Sequence, residues 1–358
     1  MTTQGAFATP RPIVGLGRAH GRLALLLGGG VAVVVVGLIV GVAVGTVAIA
    51  PIDTLAVIAR RSLGLDVGIR PTAAIETIVW DIRIPRALTA IVVGAGLAVA
   101  GTTFQGLLRN PLADPYVLGT ASGAALGAAI AVLVPVRGLI AGFGLLHVLA
   151  FAGALIAVWT VYRLSRINGL SAMTGLLLTG YAVGSLLAAG LAMAMYLSGT
   201  ALRQIFAYLL GGFDGASWER LGGALPLVLL GCVAIVLRAR ALNGLLLGEE
   251  AAAHLGVDVR RERAIMLALG SLVTAAAVTV SGLIGFVGLV VPHVVRLVVG
   301  PNARLVLPLA AVWGAALMVF ADIAARLLGE IPVGIVTAVI GAPFFLYLLR
   351  RARTGYEL

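Results

Sequence analysis

Long intervals free of Asp, Glu, Lys and Arg dominate this chain: 23–50, 87–108, 115–136, 138–162, 167–202, 221–237, 264–295, 305–321 and 331–349. A helix needs roughly 20 apolar residues to cross a hydrocarbon layer about 30 Å thick, so each interval reads as at least one membrane crossing. The interval 264–295 is too long for one. It holds Gly282, Gly285, Gly288 and Pro292, which puts a break near Gly285 and makes two spans of it. The pattern therefore predicts ten transmembrane helices.

One polar segment breaks the pattern. Residues 242–263 (LNGLLLGEEAAAHLGVDVRRER) carry Glu249, Glu250, Asp258, Arg260, Arg261, Glu262 and Arg263. A charge at mid-bilayer costs roughly 2.5–3.5 kcal/mol on insertion scales, so this segment belongs in water or against another protein. The rest has the balance of a membrane protein: 61% of 358 residues are hydrophobic and 11% charged, with a mean hydropathy of +1.12. The expected fold is all-α, a polytopic bundle of about ten transmembrane helices. A single membrane domain at 23–349 would lie between an N-terminal tail at 1–22 and a C-terminal tail at 350–358.

All 25 basic residues are arginine. Without lysine there is no Walker A loop, so any ATP used must be bound by another subunit. With the N-terminus in the cytoplasm, sixteen of the 25 arginines fall on the inner side, and arginine-rich tails at both ends require an even number of crossings. The net charge of +11 is scattered over span ends instead of forming one basic face, which argues against nucleic acid. The first charge-free interval, 23–50, far exceeds the 7–15 apolar residues of a cleavable signal and reads as a retained anchor. Cys232 is the single cysteine, which excludes an intrachain disulfide and points to packing.

Between the spans, 51–86 is expected to be the largest external loop. In a second external stretch, 198–220, Leu202, Ile205, Phe206, Leu209 and Leu210 recur at helical spacing, which predicts a helix lying flat on the outer interface. Gly94, Gly96 and Gly101 in the second span, and Gly119, Gly123 and Gly127 in the third, suit close backbone approach where lipid gives no hydrophobic drive. Gly101 and Pro111 recur as Gly282 and Pro292 in the oppositely directed seventh span, the signature of an inverted-repeat core. NPLADP (110–115) has the proline and Asx chemistry of a tight turn. Asp322 and Arg326 stand at i, i+4 and can pair. His293 stands far from the other histidines, without an HExxH or Cys/His cluster, and reads as structural.

RIPRALTAIVVGAGLAVAGTTFQGLLRNPLADPYVLGTASGAALGA (83–128) closely resembles the FecCD family, permease subunits of ABC importers for iron siderophores, haem and cobalamin. The resemblance continues in order through LLGGF (209–213), LGEEAAAHLGV (247–257), SGLIGFVGLVVPHVVR (281–296), ADIAAR (321–326) and EIPVGIVTAVIGAPFFLYLL (330–349). It implies ten transmembrane helices in the bacterial inner membrane with both termini cytoplasmic. The implied partners are a second permease chain, two ABC ATPase subunits carrying ATP and magnesium, and a periplasmic or lipid-anchored substrate-binding protein. No cofactor or metal belongs to the chain itself.

The resemblance also assigns roles. Leu247, Gly248, Glu249, Glu250, Ala253, Leu255, Gly256 and Val257 match the helices that couple permease to ATPase, where glycines permit tight turns. Arg83, Arg86 and Arg326 match the arginines that meet carboxylates of the binding protein. Lining of the path by the fifth and tenth helices points to Thr179, Tyr181, Met193, Met195, Tyr196, Thr337 and Pro343, a weakly interacting surface for bulky cargo. An ion-driven carrier would normally need an intramembrane carboxylate or histidine as its coupling site, and Asp and Glu are absent from the middle of the spans; an intramembrane enzyme would need a nucleophile with a nearby base or a metal set, and the sequence offers no such arrangement. The expected activity is permeation without bond chemistry. The expected cargo is an iron–siderophore complex, the broadest class among such permeases, with haem or cobalamin as the alternative.

Overall fold

The computed structural model describes residues 16–66, 68–134, 139–140, 143–165 and 172–352, so most of both expected tails lies outside the described residues. Helix α1 (Leu16–Ala43) is followed by the short α2 (Pro51–Leu63) and α3 (Ala73–Thr77). A π-turn at Ile78–Arg83 joins α3 directly to α4 (Ile84–Leu107). After a 3-10 turn at Pro115–Leu118 come α5 (Thr120–Leu133), α6 (Leu145–Ser165), α7 (Ala172–Leu197), α8 (Leu202–Leu210) and α9 (Trp218–Leu237). The polar segment folds as α10 (Ala239–Leu247) and α11 (Glu249–His254), and the chain ends with α12 (Val259–Ser281), α13 (Val287–Val299), α14 (Ala303–Leu327) and α15 (Val333–Ala352). A two-residue hairpin pairs Leu139 with Gly144 and Ile140 with Phe143.

Seven of these helices are long and apolar enough to cross a membrane, and the shorter apolar stretches Thr120–Leu133, Val287–Val299 and Val333–Leu348 complete ten. The break expected near Gly285 falls between Ser281 and Val287. Helix α4 is the centre, mostly buried, with α12 and α14 packed against it. Backbone approach draws α13 and α14 onto α4: a Cβ on Gly101 would stand 1.8 Å from the Gly288 carbonyl oxygen, and one on Gly94 would stand 2.3 Å from that of Gly314. By contrast α7 leaves Leu178, Tyr181, Leu186, Met193 and Tyr196 exposed. Such apolar surface is stable against lipid or another chain.

Two boundaries differ from the charge-free intervals. The stretch 51–86 is mostly helical, not an open loop, and Arg83 and Arg86 lie within a continuous helical run, 73–107. Helix α1 stops at Ala43 instead of reaching 50, because buried side chains take over its last carbonyls. Helix α8 is the helix expected within 198–220, and one side of it is held by the bundle. Ile205 is buried, the Tyr208 hydroxyl donates to Val278 O at 3.0 Å, and Leu283 N donates to Tyr208 O at 3.2 Å, which wedges α8 against the end of α12. The glycine pair of the repeat also diverges locally: Gly101 is mid-helix, whereas Gly282, at φ 66°, ends α12.

Candidate functional site

Charge collects at the two ends of the bundle. At one end, α10 and α11 form a bracket built on buried Leu242, Leu245 and Ala252, while Leu247 and Leu255 stand 69% and 66% exposed. Glu249, Glu250, Ala253 and Gly256 are exposed beside them, and Gly248 and Val257 are half-buried. Gly248, at φ 120° and ψ 160°, turns the chain between the helices, and Gly256, at φ 80°, turns it again before α12. Side chains with a Cβ rarely adopt such backbone. Exposed leucines flanked by acids, held on a rigid base, make a surface suited to a partner.

The bracket is tied to three core helices. Arg109, itself at φ 45°, donates from Nε to Leu245 O at 2.9 Å and links α10 to the end of α4. Asn243 donates to Asn302 Oδ1 at 2.8 Å and accepts from Ala303 N at 2.7 Å, stitching α10 to the start of α14. Asp258 caps α12 by accepting from Arg261 N at 3.0 Å, and the pairs Arg238–Glu262 and Arg263–Glu249 join α12 to α9 and α11. Leu247 and Leu255 thus stand on a bracket anchored to α4, α12 and α14. Between α10 and the start of α12 lies a recess of about 550 Å³ bordered by Arg240, Asn243, Leu255 and Asp258.

At the opposite end Arg83, Arg86 and Arg326 converge, each no more than 8% exposed. Arg83 donates to Val42 O at 2.9 Å and Ala43 O at 2.8 Å and also reaches Val47 O; Arg326 donates to Gly41 O and Val44 O at 2.8 Å. Those of Gly41, Val42 and Ala43 are orphan carbonyls of the C-terminus of α1, where the helix dipole also favours cations, and Val44 and Val47 lie just beyond it. Asp322, 1% exposed, sits between Arg86 (2.9 Å) and Arg326 (3.1 Å), so the expected i, i+4 pair is part of a larger cluster. Arg86 extends to Asp214 at 2.8 Å, whose side chain is 70% exposed. The three arginines expected to greet a partner are thus engaged by their own chain, and Arg86, through Asp214, is the one nearest solvent.

A model of the FecCD transport family matches residues 33–351. The chain belongs to the FecCD transport family. Among its relatives, the cobalamin import system permease protein BtuC of Halobacterium salinarum is 48% identical, over 80% of this chain and 76% of the relative. The hemin transport system permease protein HmuU of Yersinia pestis is 44% identical, over 77% of this chain and 84% of the relative. Among solved structures, an ABC transporter described as of the metal-chelate type, in an inward-facing conformation, superposes with a TM-score of 0.76 at 30% identity, covering 91% of this chain and 98% of that one. This FecCD chain is an ABC importer permease spanning the membrane many times.

The FecCD path residues are not gathered into one lining. Tyr181, Met193 and Tyr196 are exposed on α7, and Thr179 is half-buried there. Met195 packs toward Ala129, Ala194 and Ile205. Pro343 borders an apolar recess of about 620 Å³ between α8 and α15. Thr337 is corrected: it is 3% exposed, its hydroxyl donates to Gly334 O at 3.1 Å, and it faces its own bundle. His293 contacts the edge of Phe344 at 6.1 Å between ring centres.

Sequence reasoning overlooked Asp214 and the Trp80–Trp218 contact, in which the Trp218 indole donates to Trp80 O at 2.8 Å and ties the start of α9 to the π-turn. The signal for Asp214 was its place directly after LLGGF. At the NPLADP turn, Asn110 Oδ1 accepts from Leu112 N and Asp114 Oδ1 from Tyr116 N at 2.8 Å. Burial pushes the Asp114 carboxyl up to about 6, against the smaller lowering effect of the Tyr116 N–H.

Proposed function

We propose that this chain is the membrane subunit of an ATP-driven cobalamin importer. The 48% identity to a cobalamin permease over 80% of the chain carries this reading, and it displaces the siderophore expectation. Haem is the second reading, favoured by the 44% identical hemin permease. The bracket at 242–263 faces the cytoplasm and receives one of two ATPase subunits, which hold ATP and magnesium. The contact is made by Leu247, Glu249, Glu250 and Leu255. Both termini lie on that side, in accord with an even number of spans and the arginine bias. A second permease chain covers the exposed face of α7.

The binding protein docks on the opposite face, where Arg83 and Arg326 hold the rim formed by the end of α1 and Arg86 offers the charge nearest solvent. ATPase closure moves the bracket as a rigid body and, through Arg109, Asn243 and Asp258, shifts α4, α14 and α12. The chain itself performs no bond chemistry. The test is uptake by vesicles reconstituted with the ATPase and binding protein, offered cyanocobalamin, haemin or a ferric siderophore in parallel. Vanadate-sensitive uptake of cyanocobalamin alone is expected. Haemin uptake transfers the assignment to the second reading, and vanadate-insensitive uptake refutes the ATP-driven mechanism.

A further inference from the structure

Beside α6 and α8, at the end that holds the arginine cluster, a cavity of about 710 Å³ opens among α5, α6, α8, the 211–217 turn and the end of α12. None of the expected path residues lines it. Most of its polar groups are already engaged. Tyr208 donates to Val278 O at 3.0 Å, Thr279 to Ala275 O at 2.7 Å and Ser281 to Ala277 O at 2.9 Å, and Asp214 is neutralised by Arg86.

Two groups differ. Arg220 has no carboxylate within ion-pair distance among the described residues, and its guanidinium reaches the Gly215 carbonyl; its neighbour Glu219 is exposed. His147 is 9% exposed, its ring packed on Phe143, and its Nδ1 has no hydrogen-bond partner, the nearby Gly144 carbonyl lying outside bonding geometry. Buried polar atoms are nearly always partnered, and an exception calls for a ligand or a reason.

We propose that this cavity binds an organic anion, presenting a carboxylate to Arg220 and a neighbouring hydroxyl to His147 Nδ1. With Asp214 paired, Arg220 leaves the cavity with a net positive charge. A guanidinium is a planar fork matched to carboxylate oxygens. A hydroxyl serves Nδ1 in either tautomer, since it both donates and accepts. The volume lies within the range of small-molecule sites. The proposal concerns the isolated chain and does not depend on the importer reading.

Purified full-length protein in detergent, titrated calorimetrically with malate and with succinate, which lacks only the hydroxyl, tests it. Malate is expected to bind at least tenfold more tightly than succinate. Arg220→Gln should weaken both by tenfold or more, and His147→Phe should bring malate down to the succinate level while leaving succinate unchanged. Thermal unfolding of each variant checks its fold. If Arg220→Gln does not fold, Arg220→Lys, which keeps the charge without the fork, should bind both acids more weakly than the parent. Absence of binding by the unaltered protein overturns the proposal, as does unaltered binding by a folded Arg220 variant.

Discussion

Asp322 is 1% exposed and shared by two arginines, whereas Glu249, at the other end of the bundle, pairs with Arg263 while 54% of its side chain meets solvent. Both are carboxylate–guanidinium contacts, but burial gives them different consequences. An uncompensated charge in a buried cluster is strongly destabilising, so the arginine end is locked by its own partners. An exposed pair contributes little and exchanges readily with water or another protein. Rigidity at one end and replaceable contacts at the other suit a body that is pushed from one side.

Asp322→Ala gives the largest expected change. Stranding Arg86 and Arg326 should cost about 3–5 kcal/mol, read as a loss of unfolding free energy in detergent. Asp214→Ala, at the exposed edge of the same cluster, should cost less than about 1 kcal/mol. Equal losses for the two would erase the distinction between buried and exposed charge. Next, Gly248→Val should strain the turn between α10 and α11 by roughly 1–3 kcal/mol. In the reconstituted complex ATP hydrolysis should then persist while uptake falls; unimpaired uptake removes the bracket from coupling.

For Arg263 and Glu249, a double-mutant cycle to alanine should give a coupling of about 0–1 kcal/mol that shrinks as ionic strength rises. A salt-independent coupling would place this pair with Asp322 instead. A pH-dependent effect concerns Asp114. Its folded carboxyl titrates at about 6, above the ordinary 3.8, so the folded state binds the proton more tightly than the unfolded chain does. Its contribution is fully present below the unfolded value and is lost as pH rises through about 6. Asp114→Asn keeps an oxygen to accept from Tyr116 N and should flatten this part of the stability profile, a slope that unfolding midpoints at pH 4, 5 and 6 would reveal.

The number and order of the spans were legible because intervals such as 221–237 carry no charge, and the bracket because 242–263 carries so much. The start of the second span was not. Reading Arg83 and Arg86 as water-facing ends the helix at Ala87, since one sequence position does not reveal that carbonyls from α1 and the carboxylate of Asp322 will surround those guanidiniums. The partners of these arginines, up to 285 positions away along the chain, are a product of packing. The same limit applies to Thr337, where the family resemblance implied a lining and only the neighbouring elements decide which way the helix turns. Gly248 and Gly256 could be read locally, because a sharp reversal within one segment needs no distant residue.

Helix α1 precedes every other span in the chain, yet the carbonyls of Gly41 and Val44 near its end receive their donor from Arg326, in α14. Vectorial synthesis therefore leaves those carbonyls without this donor until α14 has emerged. A product cut short before Arg326 would keep α1 yet lack this donor, leaving the Gly41 and Val44 carbonyls to water or another partner.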